Sequence, residues 1–313
     1  MASSSEPGSQ RLHVAVSGAG GLIGSALLPH LARRGHRVSR LVRRSAVPGE
    51  ISWDPSRGVL DAADLEGVDA VVHLAGENVG ARWTSARKKR IRSSRVAGTR
   101  LLSETLARLR RRPGVLVSAS AIGIYGDRGN ETLTESSGLG NGDRDFLVSV
   151  TQEWESAADP ARGAGIRVVH PRFGVVLSPA GGALERLLLP FRLGLGGRLG
   201  SGSQWMSWIS IDDTIGAIDQ ALSNPELNGP VNVTAPEPVT NREFTRTLGR
   251  VLSRPTLFPV PAAALRLALG EMAEGTILAS ARVLPARLVE VGYQFSQPRL
   301  EDALRHVLGG TRR

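Results

Sequence analysis

Cysteine is missing from this chain, which excludes disulfides, thiolate metal ligands and cysteine nucleophiles and fits a reducing, cytoplasmic setting. Lysine is nearly missing too. Lys88 and Lys89 are the only two among 39 basic residues, so chemistry that needs a lysine elsewhere is ruled out. Aromatics amount to 4% of the chain, and none interrupts its densest basic cluster, "RKKRIRSSR" at 87–95. Without stacking platforms that cluster reads as the wet face of a helix, and no nucleic-acid partner is expected despite a net charge of +10. The arginine excess is read as a coding bias rather than a polyanion surface. No apolar run is long enough to cross a bilayer, so no membrane partner is expected. The six histidines lack paired metal spacing, and neither a G-x-S-x-G elbow nor a G-K-[ST] phosphate loop occurs. Residues 1–10, "MASSSEPGSQ", carry no signal pattern and are expected to dangle.

What is present is an alternation of buried strands and amphipathic helices. "RLHVAVS", "RVSRLV", "DAVVHLAG", "GVLVSAS" and "GIRVVHPRFGVVL" read as strands, with helices between them at 22–34, 84–110 and 144–162. This predicts an α/β fold with a doubly wound parallel sheet. After about residue 172 the texture changes to a glycine-rich loop, a short strand, helices near 212–223 and 240–252, and a proline-marked helical tail. That divides the chain into a core domain over 11–253, with its sheet mainly in 11–172, and an appended region over 254–308.

"VAVSGAGGLIGSALL" sets glycines at 18, 21 and 24 between the first strand and the first helix. Gly18 permits a tight turn, Gly21 close approach to a pyrophosphate, and Gly24 close helix–strand packing. The amides opening the helix, those of Leu22 and Ile23, then face the phosphates. About twenty residues on, where an NAD site carries an acid, the chain has Arg43 and Arg44. Two guanidinium forks suit a 2′-phosphate, so NADP is the expected cofactor and NAD the less favoured one.

In order, "GAGGLIG", "DAVVHLAGEN" and "SASAIGIYG" resemble the cofactor loop and strand ends of the extended short-chain dehydrogenase/reductases. The blocks "LLPFRLGLGGRLGSGSQWMSWISIDD" and "PVPAAALRLALGEMAEGTILASARVLP" resemble an atypical, epimerase-like branch with an appended C-terminal domain of unknown function. The resemblance implies a Rossmann core with an interleaved smaller substrate lobe. It places Leu74 and Ala75 along the cofactor and brings Arg95 toward it from the long helix. Arg172 would stand near the nicotinamide or in a structural ion pair. It also makes Ser120 the candidate that orients substrate oxygen, and leaves Tyr125 as either a catalytic acid or a packed aromatic.

Working members of the superfamily use a tyrosine activated by a lysine four residues later; tyrosine alone is a poor base near neutral pH. Four positions after Tyr125 stands Gly129, and in the later catalytic slot Phe146 and Val150 replace the pair. Arg128 is a candidate oxyanion partner, while Glu77, Asn78, Gln204 and Trp208 are candidate pocket residues. Asp212 and Asp213 read as caps of the helix that begins there. The expected function is an NADP-binding oxidoreductase or epimerase-like protein acting on a small molecule. The alternative is a catalytically silent cofactor-binding regulator or redox sensor, with a link to cell division. A homodimer is compatible with either.

Overall fold

The computed structural model describes residues 11–309; the tail expected to dangle lies outside them. Alternation within single strands explains why both faces of the main sheet are covered. In β1 (His13–Ser17), Val14 and Val16 point to one face and Ala15 to the other, the two-residue period of a pleated strand. On the first face α1 (Leu22–Arg33) packs Leu27 and Leu31. β2 (Arg37–Val42), β3 (Glu50–Asp54) and β4 (Val59–Leu60) extend the sheet to one side of β1. β5 (Ala70–His73) then returns to the other side.

Outward from β5 follow α2 (Ser85–Ala107), β6 (Val115–Ser118), β7 (Ser120–Ala121), β8 (Thr132–Leu133), α3 (Phe146–Ser156), α4 (Asp159–Gly163) and β9 (Arg167–Phe173). Leu102 and Leu106 of α2, with Ala161 of α4, cover the face opposite α1. A second lobe is built from β10 (Val175–Leu177), α5 (Gly182–Arg192), β11 (Trp205–Met206) and β12 (Trp208–Ser210). α6 (Ile211–Ser223) and β13 (Gly229–Val233) return to the main sheet, whose order is β13-β9-β6-β5-β1-β2-β3-β4. Every neighbouring pair along it is parallel except β3–β4. The chain reverses direction between β1 and β5, and α/β sheets bind ligands at such a switch point.

β14 (Val239–Thr240) pairs with β11 and leads into α7 (Asn241–Leu252). The appended region carries α8 (Ala262–Leu269), a π-helical turn at Ala273–Ile277, β15 (Arg282–Val283), α9 (Ala286–Glu290) and α10 (Leu300–Gly309). It is stitched into the body, not simply trailing: β15 pairs with β8, and Leu300, Leu304 and Val307 enter the second lobe's core beside Trp208 and Phe244.

The cap of α6 is Ser210 rather than an aspartate. Its hydroxyl accepts the Asp213 amide at 3.0 Å and donates to the Asp213 carboxylate at 2.9 Å. That buried carboxylate also accepts the amides of Ser296 (2.7 Å) and Gln297 (3.0 Å), so it fastens the appended region to the core. Replacing it strands two backbone donors, each bonded to a charge. Asp213→Ala is therefore expected to cost about 3 kcal/mol in urea unfolding, as a lower midpoint with an unchanged slope.

Candidate functional site

The glycine loop is a steric requirement before it is a binding site. Gly18 has φ +69°, and a Cβ on it would lie 2.6 Å from the Leu74 carbonyl carbon. A Cβ on Gly24 would run into the Gly18 carbonyl oxygen, which already accepts the Gly21 amide at 2.9 Å. Hence the ends of β1 and β5 touch backbone to backbone, and α1 starts directly over them. Gly21 caps α1 without a side-chain acceptor, leaving the first-turn amides turned toward an anion.

Beneath the loop, Ser17 Oγ accepts the Leu74 amide at 3.2 Å and shares a hydrogen bond with His73 Nδ1 at 2.6 Å. His73 is enclosed, packs edge-on to Trp53, and its Nε2 has no partner among the described residues. Burial pushes its pKa down to about 4, so the imidazole is neutral.

The other expected cofactor residues gather around this point. Leu74 and Ala75 extend β5, and the next residue, Gly76, lies against Arg95: a Cβ there would be 3.3 Å from Arg95 Cζ. Arg95 donates to the Glu77 carbonyl at 2.9 Å and stacks on Trp154 with 4.9 Å to the ring centroid. Burial lowers its pKa to about 10, against the opposing pull of Glu77. Arg43 and Arg44, just past β2, have different surroundings. Arg44 makes a bidentate pair with Glu50 at 2.7 Å, and Arg40 bonds the same carboxylate. Arg43 is exposed and has neither ion pair nor hydrogen bond among the described residues.

The substrate-side candidates form a separate buried network. Ser120 Oγ donates to Glu155 at 2.6 Å, and Glu155 takes a two-pronged pair from Arg172 at 2.8 and 2.9 Å. Arg172 also donates to the Tyr125 hydroxyl at 2.9 Å, and that hydroxyl donates within reach of Asn232 Oδ1 (2.8 Å) and the Thr134 carbonyl (3.0 Å). Tyr125 is 0% exposed. Burial raises its pKa, with Arg172 opposing. For Glu155, burial also pushes upward, but the Arg172 hydrogen bonds prevail and hold the carboxyl below its ordinary range.

The remaining candidates are tied to structure. Trp208 sits in the second lobe's core and donates to the Glu237 carbonyl, while Gln204 bridges the carbonyls of Leu199 and Ile277. Arg128 pairs with Glu131, and Asn78 closes a turn onto the Gly80 amide. Glu77 lies between Arg87 and Arg90. In the expected tyrosine and lysine positions, Phe146 meets Trp83 edge-on and Val150 is enclosed with Ile91 and Met272. Lys88 stands over the Phe146 ring at 5.0 Å while paired with Glu271. Among the described residues no acidic or histidine cluster could hold a metal, and no helix is long and apolar enough to cross a membrane.

Residues 14–234 match the NAD dependent epimerase/dehydratase family, and 260–307 match a domain of unknown function. The chain belongs to the NAD dependent epimerase/dehydratase family. It is 45% identical to an epimerase family protein of Mycobacterium bovis over 295 residues, covering 93% of this chain and 96% of that one. It is 38% identical to the human epimerase family protein SDR39U1, over 95% of this chain and all of the human one. The crystal structure of human SDR39U1 isoform 2 with NADPH superposes with a TM-score of 0.85 at 36% identity, covering 95% and 99% of the two chains. MoeE5 in complex with UDP-glucuronic acid and NAD, at 22% identity and a TM-score of 0.75 over 96% and 99%, shares the fold.

Two expectations follow from this geometry. Folded His73 binds its proton only near pH 4, whereas an unfolded histidine does so near 6.5. The unfolded chain therefore holds more protons between those values, and stability falls as pH drops through that window, by about 3 kcal/mol from His73 alone. His73→Asn should remove this part of the loss in urea titrations at stepped pH. Burial also depresses His13, His36 and His170, whose contributions add to it and persist in the variant. Separately, Tyr125→Phe strips a hydrogen bond from Arg172 and from Asn232. It should cost about 1–3 kcal/mol of stability in thermal unfolding.

Proposed function

We propose that this chain is an NADP(H)-binding protein whose residues hold and orient the cofactor but do not run the superfamily's tyrosine–lysine proton relay. One observation carries the second half of the reading. The relay slot is filled by Phe146 and Val150, packed with Trp83, Ile91 and Met272, so no protic side chain stands there. The nearest candidate hydroxyls, Ser120 and Tyr125, are already hydrogen-bonded within the Glu155–Arg172 network. Binding is supported by the Gly18–Leu74 contact, the uncapped start of α1, and the guanidinium of Arg43, unpaired among the described residues. The NADPH held by the human relative adds to this support. The cofactor, when bound, supplies a hydride. Around it Gly18, Gly21 and Gly24 give the pyrophosphate room, Leu22 and Ile23 present amides, and Leu74 and Ala75 form the opposite wall.

Within this reading Arg43 reads the 2′-phosphate and Arg44 acts as a buttress, since Glu50 neutralises it. A second reading, an oxidoreductase or epimerase-like enzyme acting on a small molecule, has one observation in its favour. Ser120 and Glu155 place a hydroxyl and a carboxylate at the carboxyl end of the sheet, where such enzymes bind substrate.

Calorimetric titration is expected to show NADPH binding more tightly than NADH. Arg43→Gln should weaken NADPH by about ten- to a hundredfold, the worth of a lost charge-assisted hydrogen bond, with little change for NADH. Arg44→Gln should have the smaller effect. Incubating the NADPH-loaded protein with a broad carbonyl panel should leave absorbance at the NADPH band steady. Consumption that Ser120→Ala abolishes would establish the enzyme reading instead.

A further inference from the structure

The glycine-rich stretch before β11 serves neither the cofactor cradle nor the packed relay slot. We propose that Arg198, Arg242 and Arg246 form a second anion site, one that takes a phosphate-bearing ligand. Three segments converge on a cavity of about 410 Å³: the 196–202 loop, the first turns of α7, and the linker at 255–260. The lining contains the three arginines and the threonines Thr245 and Thr256, and no carboxylate. None of the three guanidinium groups has an ion pair among the described residues, whereas Arg40, Arg92, Arg172, Arg250 and Arg305 all do.

Backbone, rather than acid, holds two of these arginines, Arg198 and Arg242, in place. The Ser201 carbonyl accepts from Arg198 at 2.7 Å and from Arg242 at 3.3 Å. Gly202, with φ +74°, lets their stems close on one another, since a Cβ there would lie 3.3 Å from Cβ of both. Its carbonyl also accepts the Arg242 amide at 2.8 Å. On the other side, a Cβ on Gly197 would run into the Phe258 carbonyl, and Arg198 and Val260 are joined by a 2.9 Å backbone bond. Loop and linker are thus locked together.

Arg242 and Arg246 lie four residues apart on one helix face, a like-charge pair that disfavours the helix until an anion sits between them. Each guanidinium has five donors, and among the described residues only Arg198 and Arg242 use one apiece, so these three exposed arginines line the cavity with most of their N–H groups free for a ligand. Forked donors on a fixed frame match phosphate oxygens. Leu257, 75% exposed, lines the cavity, and Phe258, 56% exposed, is its neighbour. The phosphate therefore comes either from a soluble ligand or from a lipid headgroup whose chains meet that apolar shoulder. This site does not depend on the cofactor reading.

Pyrophosphate and vesicles serve as the two probes on the full chain. Calorimetric affinity for pyrophosphate is expected to fall about tenfold in Arg242→Gln and in Arg246→Gln, and to stay unchanged in Arg100→Gln, an exposed arginine of α2. Gly202→Ala keeps every charge but drives a methyl between two stems, and should weaken binding comparably if the site is shaped rather than diffuse. Far-UV circular dichroism checks each variant's fold, and the glutamine variants decide the matter should Gly202→Ala misfold. Loss confined to Arg43→Gln would locate the probe in the cofactor cradle and overturn the proposal. Sedimentation with phosphatidylcholine vesicles, with and without phosphatidylglycerol, identifies the source. Pelleting that needs both phosphatidylglycerol and Arg246 assigns a headgroup, and pyrophosphate binding without pelleting assigns a soluble phosphate. No binding of either probe, or binding indifferent to all three changes, sinks the idea.

Discussion

Backbone contact between the Gly18 turn and Leu74, latched from below by the Ser17–His73 hydrogen bond, is the constraint on which the cofactor side of this molecule depends. A single β-carbon at residue 18 would separate the ends of β1 and β5. With them would go the amides that open α1, the wall formed by Leu74 and Ala75, and the seat of Arg95 against Gly76. The latch is polar but carries no charge, because burial keeps His73 neutral. A charged pair in that position would have to offset a far larger desolvation cost to hold the same geometry. The sheet reversal, the glycine loop and the neutral histidine are one solution to bringing two strand ends into contact.

Arginine identity says little in a chain with 39 basic residues; the neighbouring acid decides the role. Arg172 and Arg44 are both clamped by carboxylates, Glu155 and Glu50, and each serves to position something else. Arg43 follows the same strand as Arg44 yet has no such partner among the described residues, so its charge remains available to a ligand. The same distinction applies within the 87–95 cluster. Arg87, Lys88, Arg90 and Arg92 reach Glu77, Glu271 or Glu153, and exposed pairs of this kind add little stability while cancelling much of the local field.

Local periodicity and punctuation made much of the fold legible from residues alone. The glycine triplet, the alternation in "HVAVS", and helices close to 85–107, 211–223 and 241–252 all follow from signals a few residues long. β3, at Glu50–Asp54, alternates strictly, with Ile51 and Trp53 buried, but five residues between two turns are too short a run to stand out on their own, and parallel pairing with β2 gives the strand its identity. The substrate-side network was illegible for a different reason. Ser120 meets Glu155 across 35 positions and Tyr125 meets Asn232 across 107, and no short-range pattern encodes such partners. Sequence alone leaves Arg172 between two roles, and its ion pair with Glu155 is a fact of tertiary packing. Tyr125 likewise cannot be judged from its "YG" context, since its enclosure comes from Leu133, Val283 and Ile124 together.

The apolar surroundings of Phe146 and Val150 and the appended region are linked through packing. Phe146 and Val150 share an apolar cluster with Met272, Leu269 and Ile277, so residues from the 260–307 segment occupy the surroundings in which a tyrosine and lysine would have to operate. Val150 is 1% exposed, and a lysine there would bury an ammonium among Ile91, Trp83 and Met272 at a cost of several kcal/mol unless it gave up its proton. A tyrosine at 146 would bring its ring beneath Lys88, whose charge is already engaged by Glu271 from the same appended segment. Two substitutions therefore cannot rebuild the relay while the segment stays docked. Asp213 holds the far end of that segment through Ser296 and Gln297, and β15 holds its middle against β8. Displacing it would mean breaking contacts with α6, with β8 and with the second lobe's core. Apolar packing at 146 and 150 and docking of the appended segment are, in this chain, one connected arrangement.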